Sequence, residues 1–258
     1  MYSLLDEVFA NTANGPVILS EQHDVNAIDW RAGVSDVAEM GKLSARAGET
    51  QEQAGIRAGL LRAGLDTSTG RVALAIQGKL PWHKLGVNVQ DAMTWQEAYT
   101  LASLNWTVSK VPMTYKTGQG EETAKGNFAL VRDDTGKLLC VCQQYKPVQN
   151  HESLTFLDDV LGLHGAHYEV AGSLHGGEQI FAVARLPKQS FTVNGKDRQE
   201  ALVVITNPHV VGKSLKVFPT SVRPECANTL RIAMRADGDK GISIRHTGDV
   251  KGKIKEAQ

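Results

Sequence analysis

Lys213-Ser-Leu-Lys-Val-Phe-Pro-Thr-Ser-Val222, followed by Arg223-Pro-Glu-Cys-Ala-Asn-Thr-Leu230, is the stretch on which the reading of this chain turns. The first segment alternates polar and apolar residues, the period of a half-buried strand. Thr229-Leu-Arg-Ile-Ala-Met-Arg235 then spaces its apolar groups as a helix does. Pro224 suits the first turn of that helix, because the N–H it lacks would be unsatisfied there. Cys226 and Asn228 then fall near the helix N-terminus. The product is a cationic, cysteine-bearing corner, able to bind an anion or to activate a thiol.

Strands fill the chain before this corner. Tyr168–Leu174, Gln179–Arg185, Ser190–Val193, Ala201–Thr206 and Ser214–Phe218 all read as strands, with Asn194-Gly195 as a hairpin turn between the third and fourth. Further upstream, Trp106–Tyr115, Asn127–Arg132 and Leu138–Tyr145 form a second strand-like set. Asp133-Asp-Thr-Gly136 is a hairpin turn within it, and Lys116–Gly126 is an exposed connection. Thr94-Trp-Gln-Glu97 has capping-box spacing and predicts a helix from Trp95 to about Leu104, with Trp95, Ala98, Tyr99 and Ala102 on one face. Asn150 is placed to cap a second helix, His151 to Leu163, with glycines at 162 and 165 to end it. A last helix is expected over Lys251–Glu256, with the domain continuing past Gln258.

Residues 1–79 read as an N-terminal extension or arm and 80–258 as the main domain. Val34–Leu65 is rich in Ala, Gly and Glu at helical spacing but nearly free of aromatic residues, so one or two helices joined by mobile linkers are expected there, and a strand at Arg71–Ile76. The main domain opens at Leu80-Pro-Trp-His-Lys-Leu-Gly-Val87, a packed loop anchored by Trp82, in which His83 is structural. The fold class is therefore α+β: a twisted antiparallel sheet with helices mainly on one face, preceded by a helical arm.

The 258 residues carry equal numbers of acidic and basic side chains, unevenly placed. Residues 1–68 hold ten acids and five bases, whereas Arg185–Gln258 holds fourteen bases and seven acids. An acidic arm and a basic body imply contact with a polyanion or with each other. No apolar run reaches the roughly 20 residues of a membrane helix, and no secretory leader pattern is present; a cytoplasmic protein is expected. Three cysteines argue against a disulfide framework, and Cys140 and Cys142 read as side chains on one face of a buried strand. No cofactor and no metal ligand set is expected. Phosphate-loop, dinucleotide, zinc-protease and serine-hydrolase motifs are missing.

Two constellations remain. Cys226, His209 and Asn228 can form a thiol–imidazole–amide site, with Arg223 and the helix N-terminus lowering the thiol pKa; the alternative is a small buried cysteine. Basic residues interleaved with aromatics, Lys110, Tyr115, Lys116, Arg132, Tyr145 and Lys146, can line a groove where phosphates meet cations and bases stack. Lys213, Lys216, Arg223, Arg231 and Arg235 add a second cluster.

The segments P-W-H-K-L-G-V at 81–87, L-N-W-T-V at 104–108, Y-K-P-V-Q-N at 145–150, A-G-S-L-H-G-G at 171–177, T-N-P-H at 206–209 and V-R-P-E-C-A-N-T-L at 222–230 together resemble one family. It is that of the phage/plasmid-like proteins grouped as domain-of-unknown-function family 932, and the resemblance covers about residues 80–258. It implies a mobile-element origin in a bacterial host and no established chemistry. The order of elements is also similar to the core of single-strand annealing proteins of the Rad-fifty-two type, a likeness of fold only. Both point to a non-enzymatic protein that binds single-stranded DNA and promotes annealing in recombination. It would act as a homo-oligomer, ring or filament. The rival reading is a cysteine-dependent hydrolase or transferase acting on a host component.

Overall fold

The computed structural model describes residues 18–20, 63–79, 81, 83, 85–161, 167–193 and 197–256. The strands are β1 (Ile18–Ser20), β2 (Leu74–Gln77), β3 (Val87–Val89), β4 (Val108–Thr117), β5 (Gly120–Arg132), β6 (Lys137–Cys142), β7 (His167–Leu174), β8 (Gln179–Val193), β9 (Asp197–Pro208), β10 (Ser214–Thr220) and β11 (Ile242–Arg245). The helices are α1 (Trp95–Leu101), α2 (Asn150–Leu161), α3 (Ala227–Asp237) and α4 (Val250–Glu256). The α+β class holds. The helices expected within Val34–Leu65, the Trp82 anchor, the Asn194-Gly195 turn and the glycines at 162 and 165 lie outside the described residues.

The strands form two sheets where one was expected. Eight lie in the order β1-β3-β2-β7-β8-β9-β10-β11, and β4-β5-β6 form a separate three-stranded sheet. The large sheet is antiparallel except for the parallel β2/β3 pair. The expected boundary at residue 79 does not divide the fold either. β2 is an interior strand between β3 and β7, and Leu74, Ala75 and Ile76 are all buried, so residues 63–79 belong to the body.

Alternation along each strand of the large sheet feeds two cores, one on each face. In β8, Ile180, Ala182 and Ala184 face one core while Phe181 and Val183 face the other. With both faces covered, a run such as Ala201-Leu-Val-Val-Ile has no polar alternation to show. The first core collects α1, α2, Val250 of α4 and the inner side of the small sheet. The second collects α3 and the segment from Ala63 to Val72. Three of the four described helices thus share one face.

Local chemistry sets several boundaries. Thr94 and Glu97 form the expected capping box of α1, but the helix ends at Leu101, before the predicted Leu104, and Ser103 takes a positive φ after it. Asn150 does not cap α2. Its Nδ2 donates to the carbonyls of Leu104 and Trp106, and the cap bond is instead made by Glu152, which accepts from the Gln149 N–H. Pro224 lies two residues before the α3 N-cap, Cys226, and not in the first turn. The predicted connection Lys116–Gly126 is exposed but is strand: Thr114 pairs with Thr123, Tyr115 with Glu122 and Lys116 with Glu121, so the β4/β5 hairpin turns only at Gly118-Gln119. Gln179–Arg185 and Ser190–Val193 are one long strand. The β6 strand is only partly buried, because a bulge opposite Leu130 and Val131 leaves Leu138 and Val141 on its outer side.

The two sheets are tied by a buried ion pair. Arg132, at the end of β5, is fully buried; its Nη1 donates to Asp66 and its Nε donates to Asp134 at 2.7 Å. Its guanidinium lies 4.2 Å over the Trp106 ring. Asp66 also accepts from the Ser173 hydroxyl of β7 and the Ser68 N–H. Burial pushes the Asp66 carboxyl up, but Arg132 and Ser68 together hold it below its ordinary value. Removing one member of such a pair leaves an uncompensated buried charge. Arg132→Ala is expected to lower unfolding stability by about 3–5 kcal/mol, read as a fall in urea midpoint with unchanged slope.

Candidate nucleic-acid interface

The corner that opened the sequence reading folds as expected in outline. β10 runs to Thr220, and α3 begins after Cys226. Thr229 reaches back to accept from the N–H groups of Glu225 and Cys226, closing the first turn. Arg231 and Arg235, one turn apart, project from this helix, a rise of about 6 Å. Lys213 comes from the β9–β10 turn and His175 from the β7–β8 turn, where it holds a positive φ. Together with Asn228, Gln179, Gly64 and an apolar floor, these residues line a groove of about 440 Å³. Among the described residues no carboxylate lines it. Gly64 sits at its rim with φ +65°, and a Cβ there would stand 2.8 Å from that of Ala227. The groove joins three cations, two amide side chains and a helix N-terminus, a setting that favours anions.

The remaining sequence-selected residues divide sharply. Arg132 is removed from the surface set by its ion pairs with Asp66 and Asp134. Tyr145 is removed too: it is buried, stacked at 4.6 Å on His246, and its hydroxyl donates to the Pro208 carbonyl, so no base can stack there. Arg223 donates to the Gln77 carbonyl at 2.6 Å and lies 3.4 Å from the buried Glu169 carboxylate. Lys216 is taken up by Asp239 and the Gly238 carbonyl, both at 2.9 Å. Lys110 folds over the Phe128 ring and donates to Gln143. Tyr115 and Lys116 are exposed on the outer half of the β4/β5 hairpin, away from the groove lining. Lys146 lines a separate cleft with Lys251, Lys255, Glu152 and Asp249. Of eleven selected residues, Lys213, Arg231 and Arg235 are brought together. The sequence reading missed His175 and Gln179, whose only signal was the A-G-S-L-H-G-G segment that carries the turn.

The thiol–imidazole–amide site is not assembled. Cys226 is buried in the core beneath α3, with its sulfur 3.4 Å from the Thr229 hydroxyl. His209 is buried among residues of the other core, 5.3 Å from the Trp106 ring. Asn228 accepts from Arg231. β9 alternation explains the separation, since Ile205 and its neighbours two apart face the opposite side from Val204.

His209 instead belongs to a polar interior built from the remaining motif residues. Asn150 spends its Nδ2 on two carbonyls, so its Oδ1 faces His209 and accepts from Nε2 at 2.8 Å. That fixes the neutral tautomer with a bare Nδ1. His246 likewise donates through Nδ1 to the Lys146 carbonyl, leaving Nε2 bare. Burial, His246 and Arg132 push the His209 pKa down to about 3, and burial pushes that of His246 down to about 4, against an ordinary 6.5.

Two outcomes are expected. Alkylation by iodoacetamide should reach the half-buried Cys140 first, with Cys142 and Cys226 labelled only on unfolding, as mass spectrometry of a time course would show. On acidification, both histidines stay neutral in the fold while the unfolded chain takes up their protons near pH 6.5. Stability present above pH 6.5 is therefore lost as pH falls toward 4, by about 1.4 kcal/mol per pH unit for each proton. Thermal unfolding from pH 7 to 4.5 would follow it, and His246→Gln should flatten the slope.

No curated protein and no solved structure matches the chain, so the likeness to annealing proteins gains no support from a known fold. A family match does cover the segment that contains the groove's helix, the T-N-P-H turn, His209 and His246. Residues 137–258 match the model of the family described as Domain of unknown function (DUF932).

Proposed function

We propose that this is a DNA-binding protein of a phage or plasmid, one that holds single strands along the α3 groove and promotes their annealing as a homo-oligomer in the host cytoplasm. The observation that carries the reading is the groove's charge: Lys213, Arg231 and Arg235 converge with no carboxylate among the described residues of the lining. In a chain with no net charge, such a site is a local choice of position. Arg231 and Arg235 present two guanidinium groups along one line, suited to successive phosphates of an extended strand. The mechanism is positioning, without bond chemistry.

Among the described residues no Trp, Tyr or Phe lines the groove, so the contacts there are chiefly to phosphate, and affinity should depend steeply on salt. Arg231→Glu with Arg235→Glu is expected to weaken binding of a labelled single strand at least tenfold at low salt. The double substitution should also reduce the log–log salt slope by about 1.4, two phosphates at roughly 0.7 each. Annealing of complementary strands should slow in parallel. Unchanged affinity and slope in this variant, with the fold intact by circular dichroism, would refute the assignment. The cysteine-dependent alternative finds no assembled site to support it.

A further inference from the structure

A cleft of about 460 Å³ lies between α2 and α4, on the face of the large sheet opposite the α3 groove. Helical spacing builds two of its walls. On α4, Val250 and Ile254 stand one turn apart as an apolar lane, with Lys251 and Lys255 in the row beside it. On α2, Phe156 lies in the floor while Glu152 and Thr155 stand at the rim. The third wall, Lys146-Pro-Val148, is pinned from behind. The Lys146 N–H donates to the His246 carbonyl at 2.7 Å, His246 Nδ1 donates back to the Lys146 carbonyl, and Asn207 donates to the Val148 carbonyl at 2.8 Å. A preformed cleft of this size falls within the roughly 300–1,000 Å³ of small-molecule sites.

Most of its polar side chains are already spent on the protein. Glu152 accepts from the Gln149 N–H at 2.8 Å and lies 3.6 Å from the Lys251 ammonium. Asp249 accepts from the Gly252 N–H at 3.0 Å. The Thr155 hydroxyl donates within its own helix, to the carbonyls of His151 and Glu152. Two groups remain: the ammoniums of Lys146 and Lys255 have no partner among the described residues.

This pattern selects the ligand. A peptide, sugar or nucleoside carries donors and acceptors along its whole body, and burying them against Pro147, Val148 and the Val250–Ile254 lane would leave them unpaired. A nucleic-acid base finds no ring to stack on, because Phe156 is only 1% exposed. A hydrocarbon body meets no such cost, and a single anionic end satisfies the two free ammoniums. The walls come from three segments of one chain, so the ligand enters between them, which favours a free acid over a lipid held in a bilayer.

We infer that the cleft between α2 and α4 binds a free medium-chain fatty acid, with its carboxylate at the Lys146 and Lys255 ammoniums and its chain along the Val250–Ile254 lane. This site is separate from the α3 groove and does not rest on the DNA reading.

Isothermal titration calorimetry of the full chain with decanoate, kept below its micelle concentration, tests it. One decanoate per chain is expected, with the negative heat-capacity change of apolar burial. Decanol, which lacks the charge, and acetate, which lacks the chain, should each bind at least about tenfold more weakly. Lys146→Gln with Lys255→Gln should bring decanoate affinity down to that of decanol, and both side chains are exposed, so the fold is retained. Thr155→Trp, at the rim, should block decanoate by filling the cleft, and gives a second reading should the lysine pair disturb the fold. Equal affinity for decanoate and decanol overturns the inference. So do decanoate binding that neither variant changes, binding to phosphatidylglycerol vesicles alone, and no binding at all. Arg231→Glu with Arg235→Glu must leave decanoate affinity unchanged, so failure of this site and failure of the DNA reading remain distinguishable.

Discussion

A guanidinium buried without exposure sets the terms for the rest of this molecule. Arg132 cannot be left unpaired in a core without a cost of several kcal/mol. Its partners come from two directions: Asp134 from its own turn and Asp66 from a segment far upstream. Asp66 is in turn held by Ser173, whose N–H and carbonyl also pair with Ala73 and Asp66, so the ion pair is stitched into β7. Gly177 completes the enclosure. A Cβ there would stand 3.1 Å from the Arg132 side chain and 3.2 Å from the Trp106 ring, so the backbone passes where a larger residue would press on both. The pair thereby fixes the small sheet against the large one. It also pins the segment that carries Gly64 to the rim of the basic groove.

The same demand for satisfaction explains why the recognisable sequence segments do not form a reactive centre. Trp106, Tyr145, Asn150 and His209 come from separate motifs and meet inside the fold. Tyr145 and Asn150 spend their polar atoms on backbone carbonyls and on His209 Nε2, while Trp106 packs edge-on against the His209 ring. Asn150 holds together the end of the α1 connection, the start of α2 and the turn after β9. Residues that look chemically useful in sequence are here the means by which irregular backbone is buried without orphaned carbonyls.

Where the determining chemistry is local, the sequence was legible. The Thr94–Glu97 capping box, the Asp133–Gly136 hairpin and the passage from β10 into α3 each depend on residues a few positions apart. Where it is long-range, the reading failed in a consistent direction. Arg132 and Tyr145 follow ordinary strand patterns, and nothing near them shows that one will meet a carboxylate 66 residues earlier and the other a histidine about a hundred residues later. The β4/β5 extension was read as a loop because its glycines and charges resemble one. Cross-strand side-chain hydrogen bonds, from Thr114 to Glu121 and from Tyr115 to Glu122, supply what propensity does not. The α3 groove was half visible. Its helix cations follow from spacing, but His175 and Gln179 reach it from a turn that only the folded sheet brings near.

Charge in this chain acquires meaning by subtraction. The corner between β10 and α3 is rich in cations, yet Arg223 faces the buried Glu169 and Lys216 faces Asp239. Glu169 also takes Arg185, so one buried carboxylate steadies two arginines. Each such pair removes a cation from the field available to a ligand, because the attraction is already compensated at short range. Lys213, Arg231 and Arg235 differ in that no carboxylate among the described residues lines the groove they share. A count of bases over Arg185–Gln258 therefore overstates the basic surface, and a count over the whole chain, which gives zero, hides it. The uncompensated remainder, gathered at one helix by the packing of α3 on β10, leaves a neutral protein with a local excess of positive charge.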